Sequence, residues 1–147
     1  MGRALGVDVG TVRVGLALSD PDGVLATPLD TLDGAPDTAD GTAALVARLA
    51  ERAGAEDCDT VVVGLPRALS GRDTASTAHA RAVAEALQNA GLTVELWDER
   101  LSSVEAERAL IGAGRRRKER RHTRDRVAAA IILQGWLDAH RGPAHGK

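Results

Sequence analysis

Four acidic residues of this 147-residue chain stand where a carboxylate needs a reason: Asp8, Asp98, Glu99 and Asp125. Asp8 interrupts an apolar strand pattern, with Leu5, Val7 and Val9 around it. An acid there is disfavoured by strand propensity and by desolvation. Two roles suit it: a metal ligand, or a carboxylate bonded to the backbone amides of the following Gly10-Thr11 turn. Asp98 and Glu99 close a later strand pattern, at the carboxyl end where a sheet with helical crossovers opens into a cleft. Arg100 beside them is a natural charge partner. Asp125 falls in the first turn of a predicted last helix, where the helix dipole favours an acid and Thr123 is available as a cap. Ala129, Ile132, Leu133 and Trp136 follow Asp125 at +4, +7, +8 and +11, so the acid shares the stripe that the helix buries.

A carboxylate from a strand, one from a strand end and one from an inward helix face can meet in one cluster. Like charges that close repel, and a hard divalent cation with oxygen ligands, Mg²⁺ or Mn²⁺, relieves the repulsion. Two such ions about 3.5 to 4 Å apart activate a water and stabilise in-line displacement at phosphorus. The chemistry predicted from these residues is metal-dependent hydrolysis of a phosphodiester bond.

Charge is distributed accordingly. Residues 115–126 hold eight Arg or Lys against two acids, a net +6, so the formal total of −2 leaves −8 on the rest of the chain. An acidic body with one dense basic segment is the asymmetry of a polyanion-binding protein. Arg115, Arg116, Arg117, Lys118, Arg120 and Arg121 are the candidate nucleic-acid contacts, and a merely solvated run is the alternative. Arg13 and Arg67 are further candidates for phosphate contacts, with a surface role equally open. His79, inside the second predicted helix and away from the acids, is expected on the surface rather than as a ligand.

The elements that must position the acids follow from periodicity. Arg3 to Val9 and Val12 to Ser19 read as two strands of a hairpin, and Val24 to Leu32 as a third, with Pro28 arguing for an edge position. A helix carrying Leu45 and Leu49 follows the loop from Asp33 to Gly41. Thr60 to Gly64 is a short apolar run of the kind buried on both faces. Helices are expected from about Asp73 to Ala90, Ser102 to Gly112 and Thr123 to His140, with a fifth strand from Leu92 to Trp97. Three strands in a meander followed by α-β-α-β-α make an α/β fold: a mixed five-stranded sheet flanked by helices, in the ribonuclease H-like order. One domain over 1–140 suits the length, with 141–147 as a disordered tail.

Composition narrows the partner. The chain has no Phe or Tyr and only Trp97 and Trp136 as large rings. Its core must be aliphatic, and it lacks the aromatic platforms on which unpaired bases stack. The nucleic-acid backbone is then the target. Lone Cys58 forms no internal disulfide, and no apolar run approaches the roughly 20 residues that span a bilayer. A cytoplasmic location without membrane association is expected.

Leu5-Gly6-Val7-Asp8-Val9-Gly10-Thr11, Val63-Gly64-Leu65-Pro66, Asp98-Glu99-Arg100-Leu101-Ser102, and Asp125 followed by Ile131-Ile132-Leu133-Gln134, in that order, resemble the YqgF family, also called RuvX. The resemblance covers roughly residues 3–139. It implies a ribonuclease H-like nuclease, described as a Holliday junction resolvase and implicated in maturation of the 16S ribosomal RNA precursor. It further implies that Asp8, Glu99 and Asp125 are the catalytic, metal-binding acids. Ribonuclease H-like resolvases act as dimers, so a homodimer is among the partners implied, although no dimer seam is visible in the sequence. Two other readings compete. The Arg115 to Arg126 segment could serve a non-catalytic nucleic-acid-binding module, and the Asp8-Val9-Gly10-Thr11 hairpin also resembles the phosphate loop of actin-like ATP-binding domains, which clamp nucleotide between two such units.

Overall fold

The computed structural model describes residues 2–10, 12–101 and 117–145, with side chains over 125–140 in the last stretch. Strands β1 (Arg3–Val9), β2 (Arg13–Ser19) and β3 (Ala26–Asp33) form the expected meander. Helix α1 (Ala39–Ala55), strand β4 (Cys58–Leu65), helix α2 (Ala75–Asn89), strand β5 (Thr93–Asp98), a 3₁₀ turn (Glu99–Leu101) and helix α3 (Arg117–His145) follow. The sheet order is β3-β2-β1-β4-β5, with β1, β4 and β5 parallel and the hairpin strands antiparallel. This is the mixed five-stranded sheet expected, and Pro28 does lie on an edge strand, beside a register irregularity between Leu16 and Ala17. The helix expected from Ser102 to Gly112 lies outside the described residues.

Alternation along the central strands sorts side chains onto two faces. Leu5, Val7 and Val9 of β1 join Val61, Val63 and Leu65 of β4 under α1 and α2, where Leu45, Leu49, Val83 and Leu87 complete a core. Ala4, Ala17 and Val62 point to the opposite face, covered by Ala128, Ala129, Ile132, Leu133 and Leu137 of α3. Asp8 has the parity of Ala4, so it faces α3. Helix α3 begins at Arg117 rather than Thr123 and continues to His145, past the His140 at which the helix was expected to end. The earlier start suits Arg117, Lys118, Glu119, Arg120 and Arg121, all good helix formers.

Local signals set the other boundaries. Thr38 caps α1 by accepting from the Gly41 amide at 3.0 Å, and Thr74 and Thr77 form a reciprocal capping box at the start of α2. The buried Thr77 hydroxyl also donates to the Pro66 carbonyl, fastening the loop after β4 to α2. Gln134 of α3 spans the start of β3, donating to the Val24 carbonyl and accepting from the Ala26 amide, each at 2.9 Å. Among the described residues no helix is long and apolar enough to cross a membrane.

With the earlier start of α3, Asp125 lies inside the helix rather than in its first turn, and Thr123 is not its cap. A further expectation is overturned. His79 is 3% exposed rather than on the surface, its Nδ1 lying 3.2 Å from Asp37 Oδ1. It precedes Val83 and Leu87 by four and eight residues, so it belongs to the stripe that α2 buries.

Candidate active site

Three elements bring acids to the α3 face at the carboxyl edge of the parallel strands. Asp8 sits near the end of β1 and is 9% exposed. Its cross-strand partner is Gly15 of β2, and across β1 on the other side β4 runs parallel, Val7 paired with Val63. Gly64 therefore lies beside Asp8. A Cβ on Gly64 would sit 2.9 Å from Glu99 Oε2 and 2.6 Å from Ile132 Cδ1 of α3. The Glu99 carboxylate thus reaches back over β4, beneath α3 and toward Asp8, with Oε2 shielded from solvent.

Asp125 arrives from the helix. A Cβ on Gly15 would collide with the Asp125 carbonyl oxygen. The backbone of α3 at Asp125 therefore rests directly on the residue paired with Asp8. Only glycine permits this approach, because every contacted atom is helix backbone. The side chain of Asp125 is turned along β2, where Oδ2 accepts from Arg13 Nε at 2.7 Å. Arg13 stands two positions before Gly15, on the same face of β2. This pairing was not anticipated from the sequence. Its one signal was that parity, two residues from the glycine opposite Asp8.

Asp98 takes a different role from Glu99. By alternation it lies on the α1 and α2 face, paired in register with the core residue Leu65. It accepts from Arg100 Nη2 at 2.6 Å and lies 3.4 Å from Arg67 Nη1. The Arg100 hydrogen bond, together with the Arg100 and Arg67 charges, holds its carboxyl below the ordinary carboxylate value. Arg67 also pairs with Asp73 at 3.2 Å, so it braces the loop between β4 and α2. Cys58 is half-buried, and burial pushes its thiol up to about 11.

Of the basic segment, Arg115 and Arg116 lie outside the described residues. Arg117, Lys118, Arg120 and Arg121 fall in the first two turns of α3, the end of the helix that carries Asp125.

The donors suit a hard divalent cation: Asp8, Glu99 and Asp125 offer carboxylate oxygens, from three elements, on one face. Their placement is incomplete for one. Among the described residues no three His, Cys, Asp or Glu groups stand together closely enough to hold a metal ion, and Asp125 is engaged by Arg13. The geometry brings three acids to one face, with one of them turned to a cation of the protein's own.

Comparison with known proteins places this arrangement in context. The family model described as "RuvX: Holliday junction resolvase" matches residues 2–139. A protein of Mycolicibacterium smegmatis named "Putative pre-16S rRNA nuclease" is 49% identical over 142 residues, 95% of this chain and 82% of that protein. A Clavibacter sepedonicus protein of the same name is also 49% identical, over 96% of this chain and 86% of its own length. Among solved structures, Thermus thermophilus RuvC superposes with a TM-score of 0.58 at 22% identity, covering 95% of this chain and 96% of RuvC. The yeast mitochondrial Holliday junction resolvase Ydc2 gives 0.57 at 13% identity, over 92% and 78%. At such identities the two structures show a shared fold.

Proposed function

The chain belongs to the RuvX family of Holliday junction resolvases and is a nuclease, and from that premise we propose that it is a divalent-metal-dependent endonuclease that trims the 16S ribosomal RNA precursor. Asp8, Glu99 and Asp125 are the residues we assign to the reaction. The observation that carries the assignment is their placement: the Glu99 carboxylate over Gly64 and the Asp125 backbone over Gly15 flank Asp8 from both neighbouring strands, on one face. Acids delivered to one buried face from a strand, a strand end and a helix are costly to the fold and so favour a functional reason for them. Bound Mg²⁺ or Mn²⁺ would supply Lewis acidity to the phosphate and lower the pKa of an attacking water. The protein's own part is to orient. Asp8, buried in a sheet, has a fixed position; Glu99 is braced against Gly64 and Ile132; α3 delivers Asp125 with its basic first turns beside it, where duplex or folded RNA phosphates are drawn in.

The RNA substrate is favoured by relatives of 45 to 49% identity that cover nearly the whole chain and carry that name. The test uses a 16S precursor transcript and a four-way DNA junction, incubated with the same preparation under Mg²⁺ or Mn²⁺. The transcript should be cut near its mature ends, cleavage should stop with chelator, and Asp8→Asn, Glu99→Gln and Asp125→Asn should each lower the rate by at least about a hundredfold. Asp98→Asn should be milder. Full activity in Asp125→Asn would refute the site, and cleavage of the junction alone would replace the substrate.

A further inference from the structure

Asp125 pairs with Arg13 although its backbone stands over the strand pair that carries Asp8. Its backbone is held over Gly15, the residue opposite Asp8, and such cross-strand pairs stand only about 4.5 to 5.5 Å apart at Cα. The carboxylate can therefore turn toward Asp8 and Glu99. It is instead turned along β2 to Arg13, two residues and about 6 to 7 Å further on. With Asp125 engaged there, no three acids form a metal-holding group among the described residues. Arg13 is 26% and Asp125 22% exposed at the side chain, so the pair is open enough to exchange. Asp125 is also the one ionic partner of Arg13 among the described residues.

We propose that Arg13 and a divalent cation compete for the Asp125 carboxylate, and that Arg13, once displaced, takes a phosphate of the nucleic acid. The inference rests on the site assignment above. It makes Arg13 a coupling device: cation binding releases a partly exposed guanidinium beside the acids, so metal and polyanion are taken up together. The competition has a definite sign. Removing Arg13 frees Asp125 and also removes a positive charge that repels the incoming ion.

Calorimetric titration of the full-length protein with Mn²⁺ alone tests this without reference to activity. A pair this exposed is worth at most about fivefold in an equilibrium constant. Arg13→Gln should therefore bind Mn²⁺ about three- to fivefold tighter than the parent, and Arg13→Lys should bind as the parent does. In an Asp125→Asn background the Arg13 substitution should have a clearly smaller effect, because the shared group is gone and only the loss of charge repulsion remains. Arg13→Met, which keeps the aliphatic stem, carries the same test if Arg13→Gln does not fold. Unchanged or weaker Mn²⁺ binding in both neutral variants overturns the competition and makes Arg13 a brace for Asp125. Unchanged Mn²⁺ binding in Asp125→Asn alone overturns the site assignment itself, a distinct result. For the phosphate half, binding of a four-way DNA junction in Ca²⁺ should lose about 0.9 from the slope of log K against log salt in Arg13→Gln. An unchanged slope overturns that half.

Discussion

Placing one methyl group at Gly15 tests the geometry of the site more directly than removing any acid. In Gly15→Ala the new Cβ would overlap the Asp125 carbonyl oxygen and lie 3.0 Å from the Arg126 amide nitrogen. These are helix backbone atoms, which cannot rotate away as a side chain could. Helix α3 must therefore retreat by roughly 1 to 2 Å to reach ordinary contact. Overpacking of this kind costs about 1 to 3 kcal/mol. At about 2 to 4 °C per kcal/mol for a domain near this size, the melting temperature should fall by roughly 2 to 12 °C. The chemical effect should be larger than the thermal one, because an acid displaced by about 1 Å can cost about a hundredfold in rate. Gly54→Ala is the matched control. Nothing lies within 4 Å of a Cβ there, inside α1, so alanine should stabilise by about 0.5 to 1 kcal/mol and leave cleavage unchanged. Thermal melts and single-turnover cleavage, run at a temperature where all three proteins are folded, separate the two effects. A Gly15→Ala protein that melts and cleaves like the parent would show that α3 does not rest on β2, and the placement of Asp125 would fall with it.

Three further outcomes are expected. Cys58, with its thiol pushed up to about 11 from an ordinary 9.0, should react with iodoacetamide at pH 8 about a hundredfold more slowly than an unperturbed thiol, in proportion to its thiolate fraction; alkylation at the free-thiol rate would show it unburied. Asp30 is held below its ordinary value chiefly by a hydrogen bond from Arg52 at 2.9 Å. A depressed carboxylate contributes stability above the unfolded value of about 3.9 and loses it as pH falls through the lower folded value. With side chains 29% and 41% exposed the pair contributes only a few tenths of a kcal/mol, so Asp30→Asn should melt slightly lower than the parent at pH 7 and level with it in strong acid. Replacing Arg115, Arg116 and Arg117 with Ala should weaken binding to any duplex and lower the salt slope by up to about 0.9 per lost contact, whereas unchanged filter-binding curves would mean that the run is solvated.

Much of the fold was legible because it depends on apolar runs and their punctuation. The buried strand 60–64, the edge position forced by Pro28 and the stripe from Asp125 to Trp136 all rest on local rules that tertiary packing reinforced. Where reading failed, a local pattern had two meanings. His79 could be a surface residue or a member of the stripe with Val83 and Leu87, and the spacing alone does not choose between them; the structure puts it in the stripe, with Asp37 nearby. The resemblance singled out Glu99 over Asp98, but the strand pattern alone did not show where either side chain goes. Alternation from Trp97, which packs under α3, puts Asp98 on the opposite face, while the Glu99 carboxylate, past the strand end, lies at Gly64. Nothing in the sequence says which face Trp97 takes. The Arg13 to Asp125 bond joins residues 112 apart, and no periodicity reaches across such a distance.

The same composition that makes the core modest makes the site possible. A helix lies on a sheet at a distance set by the side chains between them, and here many of those side chains are small. Ala128, Ala129 and Ala130 are buried on α3, and Gly6, Gly15 and Gly64 face them from the strands. A Cβ on Gly6 would stand 2.9 Å from the Ala129 carbonyl oxygen and 2.7 Å from Leu133 Cβ, so the close approach extends along the interface rather than occurring only at Gly15. Each of these positions gives up the apolar area that a Val or Leu would bury, roughly 1.5 to 3 kcal/mol apiece. An aspartate has one methylene between backbone and carboxylate. With larger residues between helix and sheet, Asp125 would be carried several ångströms out, beyond reach of Asp8 on β1. The absence of Phe and Tyr and the wealth of Ala and Gly therefore act through distance: the interface is thin at Gly6, Gly15 and Gly64, and under the proposed site assignment that thinness is what would let Asp8 and the short side chain of Asp125 serve one cation.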